Sequence, residues 1–174
     1  MNFKSKCVKL LIGAGLILSG ITMTYAAFQS QYTIYATLLY HFAKYTQFPS
    51  VNPTMVIGVM GKTPLNHEVL ALTGKTVGTS QIQVKEIGEV SEIEKCNIVF
   101  VPATLSGKFN EVVNKAKENH TLIVSDAPDG CKSGAVINFY EENSKVRFEI
   151  SNKNAGVLGL KISNDLQKLG KVVD

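Results

Sequence analysis

The chain has 174 residues, 45% of them hydrophobic, with 18 basic and 14 acidic side chains and a formal net charge of +4. Lys4, Lys6 and Lys9 supply much of that excess near the amino end, so residues 27–174 are close to neutral. Arg147 is the only arginine, and nothing in the pattern reads as a phosphate-tracking surface; nucleic acid is excluded as a partner.

Residues 1–26 read as a secretory signal. The three lysines form a basic region, residues 10–21 form an apolar run too short to span a bilayer with margin, and Thr24-Tyr25-Ala26 sets small residues at the −3 and −1 positions. Cleavage is expected after Ala26, leaving residues 27–174 as a single periplasmic domain.

Residues 32–45 place Tyr35, Leu38, Leu39, Phe42 and Tyr45 on one stripe at steps of three and four, which predicts a helix. Gln47-Phe48-Pro49 ends it, because a residue before proline is pushed out of the α region. Residues 55–59 form a buried strand, 66–72 a helix, and Ile82, Val84 and Ile87 mark a second strand. A short turn of helix at 91–95 precedes a strand at 97–101, a helix at 106–119 and a strand at 121–125. A Pro, Asp and Gly-rich loop at 126–133 leads to strands at 135–140 and 145–150, joined as a hairpin. Residues 153–158 and 163–169 are helical around Gly159. Alternating strands and helices followed by a hairpin predict a three-layer α/β sandwich. Its central sheet is mainly parallel, with helices on both faces and a C-terminal antiparallel hairpin at the edge. In such sheets contacts favour the carboxyl ends of the strands.

Chemistry is hard to place on this chain. Gly61-Lys62-Thr63 and Gly74-Lys75-Thr76 resemble the end of a phosphate-binding loop, but the required upstream glycines are Val56 and Val69. His41, His67 and His120 have no metal-ligand spacing, and Glu68 beside His67 is not expected to share its helical face. Ser125-Asp126 lacks the flanks of a nucleophile elbow. Asp126, Asp129, Glu141 and Glu142 read as loop tips, and Arg147 is expected to pair with Glu149 along one strand face. No catalytic residue, metal or cofactor is assigned, and the chain reads as a binding protein, not an enzyme. Cys96 and Cys131 are read as unpaired with each other, near opposite ends of the sheet and about 15 Å apart. Cys131, on a loop, is the candidate for an intermolecular disulfide. Phe42, Tyr45, Phe48 and Pro49 form an aromatic cluster at a helix end, the candidate partner-binding residues; packing into the domain core is the alternative for them.

Four blocks of residues carry a likeness to a known family. They are 39–49 (Leu-Tyr-His-Phe-Ala-Lys-Tyr-Thr-Gln-Phe-Pro), 57–61 with 74–78, 122–126 with 137–139, and 146–152 with 159–163. In these blocks the chain resembles the YfiR family. The resemblance implies a periplasmic repressor that holds an inner-membrane diguanylate cyclase of the YfiN type off, lowering cyclic di-GMP and biofilm formation. It also implies relief by an outer-membrane lipoprotein of the YfiB type. Family members often carry a cysteine where Gly58 stands, which can pair with one like Cys96; here that pairing is lost. Two other readings compete. A periplasmic small-molecule-binding module feeding a sensor kinase or transporter would show a deep apolar pocket. A hydrolase would show reactive groups converging around Ser125-Asp126 or Cys131. A homodimer is left open.

Overall fold

The computed structural model describes residues 31–173. The expected signal segment lies outside the described residues.

Residues 31–45 form helix α1. It is followed by β1 (Thr46–Gln47), β2 (Thr54–Met60), α2 (Leu65–Glu68) with a 3-10 turn over Val69–Leu72, β3 (Thr76–Val77) and β4 (Ser80–Ile87). A 3-10 turn at Val90–Lys95 leads to β5 (Ile98–Val101), a second at Ala103–Lys108 to α3 (Phe109–Asn119), and then β6 (Leu122–Ser125). β7 (Ile137–Glu142) and β8 (Lys145–Ile150) form the hairpin. The chain ends with α4 (Asn152–Val157), β9 (Lys161–Ile162), α5 (Asn164–Gln167) and β10 (Lys171–Val172).

The main sheet has eight strands in the order β10-β8-β7-β6-β5-β2-β4-β3. All its neighbours are parallel except β7–β8 and β3–β4. This is the mainly parallel α/β sheet expected. The hairpin lies next to one margin, and the two residues of β10 add outside β8. Its turn is tighter than the sequence reading, with Asn143 and Ser144 alone connecting the strands at φ of 52° and 57°. Two successive positive φ angles give a turn whose twist matches that of paired strands.

Every residue of β5 and β6 is buried, as strands covered on both faces require. The β2-to-β4 and β5-to-β6 crossovers run in opposite directions across the sheet. Right-handed crossovers therefore put α2 and α3 on opposite faces. α1 shares the α2 face: Thr33 Oγ1 donates to Glu68 Oε2 at 2.9 Å and Tyr40 OH donates to the Thr76 carbonyl at 3.2 Å. From that face α1 lowers aromatic side chains onto the sheet. Tyr35 stacks on Phe139 with ring centroids 3.9 Å apart, and Phe42 meets Phe148 at 5.1 Å and Phe139 at 5.6 Å. On the opposite face α3 buries Phe109, Val112 and Ala116, three of its inward stripe.

Candidate partner-binding groove

α1 runs antiparallel to the strands, so its carboxyl end reaches the amino end of the sheet. There the chain leaves Tyr45, forms β1, and turns through residues 48–53 into β2. β1 does not join the main sheet. It pairs antiparallel with β9, Thr46 opposite Ile162 and Gln47 opposite Lys161, and Ser163 N donates to the Tyr45 carbonyl at 2.9 Å. Ser163 also caps α5 by accepting from Leu166 N at 3.2 Å. The turn into β2 is tied down from several sides. Gln81 N donates to the Pro53 carbonyl at 2.8 Å, Ser80 Oγ donates to the Asn52 carbonyl, and Asn97 Oδ1 accepts from Val56 N at 2.9 Å.

These segments enclose a surface groove with two lobes of about 430 Å³ each. Tyr45, Lys161, Ile162 and Ser163 line the first lobe. Phe48, Val51, Met55, Val77 and Asn97 line the second. Lys44, Thr46 and Gln47 line both and so form the wall between them. Val51 is 77% exposed, and no carboxylate lines either lobe. Of the resemblance blocks, residues 44–47 meet residues 161–163 at the first lobe, and residues 44–48 meet residues 77–78 at the second.

The four aromatic-cluster residues separate. Phe42 is fully buried against Phe139 and Phe148, so it belongs to the core and is not available to a partner. Tyr45 is half-buried, lines the first lobe and stacks on His41 at 6.2 Å. Phe48 is half-buried in the second lobe, and Pro49 is exposed beside it. The groove also lies at the amino ends of β2 and β4, not at the carboxyl ends that fold analogy favours. At the carboxyl ends the connections close over the strands: Leu105 lies against Gly61, and Asp126 Oδ1 accepts from Ala103 N at 2.8 Å. Sequence reasoning missed Lys44, Thr46 and Lys161, because two-residue strands such as β1 and β9 leave no periodic signal.

The remaining candidates are held in structural roles. Ser125 is buried and its Oγ accepts from Ala127 N at 3.0 Å. Burial raises the Asp126 carboxyl above its ordinary value, opposed by the hydrogen bond from Ala103 N. Burial likewise raises the Tyr32 hydroxyl and pushes that of Tyr35 up to about 12, although Gln31 Nε2 donates to Tyr35 OH at 2.7 Å. Cys131 is only 7% exposed, with Sγ 3.9 Å from the Val136 and Glu149 carbonyls, which leaves it ill placed to bond another molecule. No disulfide joins Cys96 to Cys131. The expected Arg147–Glu149 pair is absent from the ion pairs of the described residues; Glu149 Oε1 instead accepts from Asn138 Nδ2 at 3.4 Å. His67 and Glu68, adjacent in sequence, do approach, Nδ1 to Oε1 at 3.4 Å. His120 adopts φ 54° at the end of α3, with Nδ1 2.9 Å from the Leu158 carbonyl. Among the described residues no three His, Cys, Asp or Glu side chains gather as a metal site.

The YfiR/HmsC-like family model matches residues 32–171. The chain belongs to the YfiR/HmsC-like family. Proteins of this family are, in general, periplasmic regulators. No curated protein matches the chain. A conserved domain protein from Vibrio cholerae is similar in fold, with TM-score 0.51 and 11% identity over 69% of this chain. The match spans 55% of that protein, a little over half its length, and at this identity the likeness speaks for fold alone. An ABC domain in complex with L-Trp from Streptococcus pneumoniae aligns with TM-score 0.48 and 14% identity, over 68% of this chain and 55% of that one. Among the described residues no helix is long and apolar enough to cross a membrane.

Proposed function

We propose that the chain, exported and cleaved after Ala26, acts as a single periplasmic domain that represses an inner-membrane diguanylate cyclase. It binds the cyclase's periplasmic portion more tightly in the inactive state, which lowers cyclic di-GMP and biofilm formation. An outer-membrane lipoprotein of the YfiB type competes for the repressor. Family membership supports this reading. The observation that carries it is that one family-like segment, residues 44–48, borders both lobes, meeting residues 161–163 at the first and 77–78 at the second, where Phe48 is half-buried and Val51 exposed. Exposed apolar groups gathered beside polar ones suit a protein interface.

Deleting the gene is expected to raise cellular cyclic di-GMP. The purified protein is expected to co-elute with the cyclase's periplasmic domain, and Phe48→Asp to abolish co-elution while the variant still melts in one cooperative transition, a few degrees lower. Unaltered cyclic di-GMP together with no co-elution would overturn the proposal.

A further inference from the structure

The two lobes of the groove differ in chemistry. Lys44 and Lys161 both line the first lobe, and no carboxylate lines it. Neither lysine takes part in an ion pair among the described residues; Lys44 Nζ lies 5.5 Å from the Tyr45 ring centroid, a contact that leaves its charge uncompensated. The second lobe is apolar around Phe48, Val51 and Val77.

Thr46 stands in the wall between them. It is 7% exposed, and its Oγ1 is buried with no hydrogen-bond partner. Folded chains leave few buried polar atoms in this state, since each has given up water without replacement. Thr46 itself borders both lobes, its hydroxyl lying beneath their surface. β1, which carries it, has a paired strand on one side only. An edge of this kind favours an extended chain as its occupant.

We infer that the groove receives an extended acidic peptide segment of the protein partner, its carboxylate between Lys44 and Lys161 and an apolar side chain beside Phe48. Charge complementarity sets the sign of the ligand: a basic or neutral segment would leave both ammonium groups unmatched. This rests on the reading that the chain works by docking to another protein.

The test is selection from a random dodecapeptide display library on the exported chain purified from the periplasm. Enriched sequences are expected to combine Asp or Glu with a large apolar residue. For an enriched peptide, Lys44→Gln with Lys161→Gln is expected to weaken binding about tenfold, since hydrogen bonds to charged groups dominate such contacts. That difference shrinks as salt is raised toward about 1 M. Both lysines are exposed, so the variant folds. Enrichment of peptides without acidic residues, or binding indifferent to the two lysines, would overturn the inference. So would displacement by citrate as effective as by the peptide, which would mark a site for free small acids. Unchanged cyclic di-GMP in the deletion strain would instead sink the regulatory reading and leave peptide selection standing.

Discussion

Gly58 stands midway along β2, where the strand passes Cys96 at the entrance to β5. A Cβ built at Gly58 would lie 2.8 Å from Cys96 Sγ and 2.8 Å from Ile87 Cγ1. Position 58 is glycine because neighbouring side chains already fill the space. Gly58→Ala is therefore expected to destabilise the fold by about 1–3 kcal/mol, the usual cost of overpacking, measured by denaturant unfolding. Gly58→Cys has a way out, since the same closeness brings its sulfur within bonding reach of Cys96. Burial pushes the Cys96 thiol up to about 11, so it reacts slowly in the folded state. Refolding in a glutathione redox buffer is expected to give a disulfide-linked peptide joining position 58 to Cys96; reduced thiols at both positions would contradict this. Asp126 gives a pH-dependent counterpart. Its carboxyl is raised above 3.8 by burial, so between 3.8 and the folded value the native chain holds a proton that the unfolded chain has lost. Its burial penalty is thus absent below 3.8, grows as pH rises, and is complete above the folded value. Asp126→Asn keeps an acceptor for Ala103 N and removes the titration. It is expected to melt higher than the parent at pH 7 and equally at pH 3; a lower melting point at pH 7 would show that the ionised form is net stabilising.

The segment from α1 through β1 does two jobs with residues six apart. Phe42 points into the sheet and fixes the helix to β7 and β8, while Phe48, just beyond β1, faces the groove. Phe42→Ala is expected to cost about 3–5 kcal/mol in denaturant unfolding, the range for losing a fully buried aromatic. Phe48→Ala is expected to cost under about 1.5 kcal/mol, because much of the ring remains in water in the folded state. Equal losses would mean that both rings serve the core. At this scale the helical stripe was readable, since Tyr35, Leu39 and Phe42 recur at steps of three and four. The direction of each aromatic beyond the helix was not. Periodicity ends at Tyr45, and only the pairing of Thr46 with Ile162 turns Phe48 outward toward Val77.

Across the whole molecule the alternation of apolar strands and helices through β2, β4, β5 and β6, and the mainly parallel sheet they build, were legible in advance; their order in space, β6–β5–β2–β4, was not. β1, β3, β9 and β10 were not, each being two residues long with no alternation to detect. β1 and β9 pair across 116 residues and β10 with β8 across 22, so these three depend on a chain already folded, whereas β3 pairs with the adjacent β4. The sequence by itself determined the layered α/β class, the buried parallel strands, the hairpin and the family likeness, because hydrophobic period and turn chemistry are local properties. Only the tertiary structure decided that the candidate site opens at the amino ends of the strands. It alone moved Phe42 into the core, buried Cys131, and set Lys44, Thr46 and Lys161 around one groove. Those outcomes depend on which distant segments touch, a matter settled by packing rather than by neighbours along the chain.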